Sequence, residues 1–143
     1  MHPVLISLTL INSSILLVLS VIHFYWALGG RWGFDKALPT NMEGKRVLKP
    51  NKMESGIVGL GLFLFSFYFL IYGSIVSFEL PHWLMTYVIW AITVIFLLRA
   101  IGDFKYVGFF KKIRNTEFGR LDTNFYSPLC LFLSISGIIL VLF

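Results

Sequence analysis

From Gly56 to Phe78 the chain runs 23 residues without a charge. As a helix rising 1.5 Å per residue, such a run covers about 35 Å, more than the roughly 30 Å of a bilayer's hydrocarbon core. Three further apolar runs accompany it: Val4 to Leu28, Trp83 to about Ile101, and Phe125 to Phe143. A water-soluble domain cannot hide four such runs beneath a surface drawn from only 13% charged residues. The expected fold is therefore all-α: an integral membrane four-helix bundle forming one domain over 1–143. The expected spans are about 4–28, 56–78, 83–101 and 125–143, with long connections at 31–53 and 104–122.

The basic residues orient this bundle. All twelve Lys and Arg fall in two segments, six from Arg31 to Lys52 and six from Arg99 to Arg120. The N-terminus, the connection at 79–82 and the C-terminus have none. Basic loops stay on the cytoplasmic side, so both termini are expected outside and loops 31–53 and 104–122 inside. This distribution accounts for the net charge of +5 without nucleic acid. The N-terminal apolar run exceeds a signal-peptide core and lacks a basic leader and a small-residue cleavage site, so it is expected to be retained as a helix. The expected home is the bacterial inner (cytoplasmic) membrane.

Within the first span, Thr9, Asn12, Ser20 and His23 fall within about 60° of one another around the helix, so this stripe should face other helices rather than lipid. The second span carries small residues at Ser55, Gly59, Gly73 and Ser77, which suit close helix packing. Ser55 is a candidate N-cap. The four-residue link Glu79-Leu80-Pro81-His82 should make the second and third helices antiparallel neighbours. Between Phe104 and Asp122, aromatic rings interleave with Lys105, Lys111, Lys112, Arg114 and Arg120. Beside a membrane this reads as an interfacial segment, with rings at the acyl boundary and cations on anionic head groups of membrane lipids over 104–121.

Orientation gathers the ionisable groups at one depth. His23 and Tyr25 end the first helix at the inner side, Glu54 begins the second, Arg99 and Asp103 end the third, and Asp122 and Tyr126 begin the fourth. An inward-opening pocket is expected there, lined by His23, Tyr25, Trp26, Arg99 and Asp103, with Glu54 and Tyr126 at its rim. His23 is the candidate acid or base, since an imidazole titrates near neutral pH. Arg99 would hold a carboxylate or phosphate, with Asp103, one turn on, orienting it. Plainer readings stand beside these. His23 can be a structural interfacial histidine, Arg99 and Asp103 a mutual pair ending the helix, and Glu54 and Asp122 capping charges. Tyr25, Trp26 and Trp32 can be an aromatic belt, and Cys130 a packing residue.

Several chemistries have no residues to carry them. One cysteine gives no disulfide or thiol pair. His23 is inner while His2 and His82 are outer, so no bis-histidine haem forms within one chain. No cluster has zinc spacing, and Gly29-Gly30-Arg31-Trp32-Gly33 lacks the Lys-Ser/Thr ending of a phosphate loop. Neither a metal nor another cofactor is expected.

The blocks His23-Phe24-Tyr25-Trp26-Ala27-Leu28-Gly29-Gly30-Arg31-Trp32-Gly33 with Pro39, Arg99 through Gly108, Asp122-Thr123, and Tyr126-Ser127-Pro128-Leu129-Cys130 carry a resemblance. Over essentially its whole length the chain resembles the DUF3995-type family of small bacterial integral membrane proteins of unknown function. The resemblance implies a four-helix membrane protein and brings no activity, substrate or cofactor. The residues themselves point to a pocket for a small amphipathic or lipid-like ligand, with acid–base chemistry at His23 as its enzymatic form. Alternatives are a small interaction or regulatory subunit, or half of a dimeric transporter, which would need homo-oligomerisation.

Overall fold

A computed structural model describes all residues, Met1–Phe143. Four helices are each long and apolar enough to cross a membrane: α1 (Pro3–Ala27), α2 (Lys52–Tyr72), α3 (His82–Ile101) and α4 (Glu117–Leu142). There is no β-strand; one isolated bridge joins Thr40 to Arg46. The protein is a multi-pass membrane protein. Apolar side chains such as Leu17, Val18, Val21, Leu60, Leu64, Val94, Ile95 and Ile135 lie exposed on its outer faces. In water such a surface would aggregate; in lipid it is the solvated surface.

The helices pack as two close antiparallel pairs, α1 with α2 and α3 with α4. Small residues bring the backbones together. Ser13 Oγ donates to the Ser66 carbonyl at 3.0 Å, and Ser66 Oγ returns to the Ser13 carbonyl at 2.8 Å. Ser20 Oγ reaches the Gly59 carbonyl at 2.6 Å. A Cβ on Gly73 would sit 2.6 Å from Thr9 Cγ2, and one on Gly137 would sit 2.3 Å from Thr93 Oγ1. Only glycine permits those approaches. The polar stripe of α1 is buried between helices: Asn12 is fully buried, and Ser136 Oγ of α4 donates to its Oδ1 at 2.8 Å. Leu16, Phe69, Ile89, Ile92 and Leu133 fill the centre.

Several boundaries differ from the sequence expectation. α2 starts at Lys52, because Asn51 rather than Ser55 is the N-cap. Asn51 and Glu54 exchange side-chain-to-backbone hydrogen bonds at 2.8 and 3.0 Å, a capping box. α2 stops at Tyr72 instead of Phe78. The N–H of Ile75 folds back onto the Leu70 carbonyl at 2.9 Å, and Ser74 adopts φ 58°, so the helix closes. The link to α3 is thus residues 73–81. α2 and α3 meet through side chains, with Tyr68 Oη donating to the Met85 carbonyl, and they are not the closest neighbours. Small residues, not linker length, choose the close pairs.

The last helix begins at Glu117, well before the expected Phe125. Its second turn is a π-turn, Asp122–Tyr126, in which the Ser127 N–H reaches back five residues to the Asp122 carbonyl. Pro128 follows at once. Proline lacks an N–H and crowds the carbonyl four residues back, and the wider turn accommodates both. The 31–53 connection folds over the helix ends: Leu38 and Pro39 are buried, and Phe34 meets the Trp26 ring edge-on at 5.6 Å.

Candidate functional site

The antiparallel pairs bring the C-terminal ends of α1 and α3 and the N-terminal ends of α2 and α4 to one end of the bundle. Both basic segments lie there. Its strongest electrostatic feature is Asp122, which is fully buried. Oδ1 accepts from Arg99 Nη2 at 2.9 Å, and Oδ2 accepts from the Gly108 N–H at 2.7 Å and lies 3.1 Å from Lys111 Nζ. Lys111 is fully buried too; its ammonium also donates to the Gly108 carbonyl at 3.0 Å and to Thr123 Oγ1. One carboxylate thus ties α3, the 102–116 loop and α4 together. The loop can fold so tightly because Gly102 and Gly108 adopt φ 88° and 89° with their backbones in contact. A Cβ on Gly102 would lie 1.8 Å from the Val107 carbonyl oxygen.

Two expectations are corrected here. Asp103 does not hold Arg99. Its Oδ1 accepts from the N–H groups of Lys105, Tyr106 and Val107 at 3.0, 2.8 and 3.0 Å, because the chain turns away at Gly102 before Asp103 can complete a helical turn. Partial burial alone would raise the Asp103 carboxyl, but these backbone donors outweigh it and hold the group below the usual carboxylate value. Lys111 does not face lipid head groups; it is the buried partner of Asp122. Lys105, Lys112, Arg114 and Arg120 are exposed, as are Phe104 and Phe110. Asp122 had a plainer reading as a capping charge, and nothing in its local sequence separates it from Asp103. The Gly102/Gly108 pair is the one signal available: glycines bracketing a tight loop leave backbone N–H groups that need an acceptor.

Beside this ion network lies a cavity of about 680 Å³. His23, Trp26, Glu54, Arg99 and Tyr126 all line it, among apolar walls that include Leu19, Ile22, Val58, Phe125, Leu129 and Cys130. Tyr25 and Asp103 do not. The Tyr25 ring lies directly over Gly30, where any Cβ would come within 2.2 Å of it, and its Oη accepts from the Trp32 N–H at 3.4 Å. Tyr25 therefore builds the corner after α1.

Each lining polar group has a defined state. His23 Nδ1 lies 2.7 Å from the Leu19 carbonyl, which can only accept, so Nδ1 carries a proton and Nε2 remains for a ligand. The imidazole edge also meets the Trp26 ring at 4.9 Å. Trp26 Nε1 donates to the Trp32 carbonyl at 2.8 Å, and Tyr126 Oη to the Lys36 carbonyl at 3.0 Å. Both bonds strap the 31–53 connection over the cavity. The Glu54 carboxylate is spent on the capping box. Arg99 has one arm on Asp122, and its Nη1 is buried without a partner.

A second, smaller cavity of about 410 Å³ adjoins the first and shares Trp26, Phe34, Pro50 and Ser55 as walls. Its other walls are polar: the Gly29-Gly30 backbone, Arg31, Asp35, Arg46, Asn51 and Lys52. No group of His, Cys, Asp and Glu is placed to hold a metal ion.

One family model, described as a protein of unknown function (DUF3995), matches residues 16–137. No curated protein and no solved structure matches the chain.

Proposed function

The chain belongs to the DUF3995 family of proteins of unknown function, and we propose that it binds a small amphipathic, lipid-like ligand in the cavity beside His23. The observation that carries this reading is the joint placement of His23, Trp26, Arg99 and Tyr126 on one mostly apolar cavity of about 680 Å³, a volume ordinary for a small-molecule site. The Arg99 charge is anchored by Asp122, so it is held in place at the cavity wall rather than free to snorkel. His23 presents Nε2 as the group for accepting or donating a proton to a bound ligand. The gathering of both basic segments at this end supports a cytoplasm-facing cavity, with both termini outside, in a bacterial inner membrane. The exposed Phe104, Phe110, Lys105, Lys112 and Arg114 support contact between the 102–116 loop and anionic head groups.

Binding of radiolabelled dodecanol to the protein in maltoside detergent tests the reading. The wild type should bind it saturably. Val58→Trp, which fills the cavity from an exposed position on α2, should weaken binding by at least about tenfold. Binding that is absent, or indifferent to Val58→Trp, would overturn the proposal. His23→Ala should melt close to wild type, because the imidazole bonds only within its own helix and alanine is a good helix former.

A further inference from the structure

The two adjoining cavities differ in chemistry. The first is walled mainly by apolar side chains. The second is walled by three cations, Arg31, Arg46 and Lys52, against one carboxylate, Asp35. Asp35 is taken by Arg46, whose guanidinium also lies 5.4 Å over the Phe34 ring. Arg31 and Lys52 make no ion pair and no side-chain hydrogen bond. Two uncompensated cations therefore share one small concave site, at the positive end of the 21-residue helix α2. They are held close to the chain's double glycine: a Cβ on Gly29 would already lie 3.4 Å from Lys52 Nζ.

We infer that the second cavity takes the anionic head, of phosphate type, of an amphiphile whose apolar body lies in the first. This rests on the reading of the first cavity given above. Trp26, Phe34, Pro50 and Ser55 line both cavities, so the two adjoin and a ligand occupying both has only these side chains to pass. Arg99 is the competing site for the head. It is less suited, because its charge is already balanced by Asp122 and its unpartnered Nη1 is buried from contact. Arg31 and Lys52 are exposed and unpaired, so they can close on a phosphate with charge-assisted hydrogen bonds. A bilayer lipid and a soluble phosphate both offer this chemistry, and the experiment separates them.

Three probes are titrated against the full-length protein in maltoside detergent: dodecanol, dodecyl phosphate and inorganic phosphate. Dodecyl phosphate should bind most tightly. The double variant Arg31→Gln/Lys52→Gln should weaken dodecyl phosphate roughly tenfold to a hundredfold while leaving dodecanol unchanged. Asn51 still caps α2 in that variant, and its melting should match wild type. Equal loss of dodecyl phosphate binding in Arg99→Gln, with none in the double variant, would place the head at Arg99 and overturn the inference. So would dodecanol and dodecyl phosphate binding alike, which would leave the apolar cavity reading intact. Failure of both long-chain probes would remove the first cavity as a site and the inference with it. If inorganic phosphate matched dodecyl phosphate and both depended on Arg31 and Lys52, the second cavity would serve a soluble anion and the bridging ligand would be overturned.

Discussion

The two ends of this bundle spend polar groups differently. Along the α1–α2 and α3–α4 seams, short hydroxyls meet backbone carbonyls at three places: Ser13 with Ser66, Ser20 with Gly59, Thr93 with Ile89. Each bond is neutral and buried between or within the packed helices. At the basic end the polar groups are long and charged, and cations outnumber carboxylates. A buried ion network and two cavities lie there. These seams close with small neutral residues. Charge at the other end costs desolvation, which the pairing of Asp122 with Arg99 and Lys111 offsets.

The largest expected loss of stability is at Asp122. Asp122→Ala would leave Arg99 and Lys111 without their carboxylate in a buried site. It should destabilise the protein by about 3–5 kcal/mol, seen as a large drop in melting temperature in detergent. Lys111→Met should cost far less, because Asp122 keeps Arg99 and the Gly108 N–H. Equal losses for the two variants would mean that the ammonium, not the carboxylate, holds the network.

The seam should yield less. Gly137→Val forces a side chain against Thr93 and should cost about 1–3 kcal/mol by overpacking, with α3 and α4 pushed apart. Melting at wild-type temperature would show that the α3–α4 approach is looser than the 2.3 Å clearance implies.

The smallest effect belongs to Asp103. Asp103→Ala should speed hydrogen exchange at the Lys105, Tyr106 and Val107 amides while barely moving the melting temperature. Its folded-state ionisation lies below the ordinary carboxylate value, so this anchorage is complete above that value and is lost as pH falls through the depressed one. The protection of those three amides relative to their intrinsic exchange rates should fall in that acidic window. A melting loss as large as that of Asp122→Ala would restore Asp103 as the partner of Arg99.

The class, the number of long apolar helices and the end of the bundle at which charge collects are all legible in the amino-acid order. Uncharged runs of helix-spanning length and twelve clustered cations are local, countable properties. The stripe on α1 was legible for the same reason, since its period is a property of one helix. Convergence of His23, Trp26, Glu54, Arg99 and Tyr126 followed from helix direction alone, because antiparallel packing brings alternate ends together. Which partners meet is set by the three-dimensional packing. Asp103 and Asp122 are both carboxylates at an apolar helix end. The choice between them depends on a loop that closes through Gly102 and Gly108 and on a π-turn before Pro128 that sets where Asp122 points. Lys111 reads as one more cation in a basic run until that loop buries it. Long side chains can reach many partners from one position, so pairing is settled by three-dimensional distance and desolvation, which no local pattern encodes.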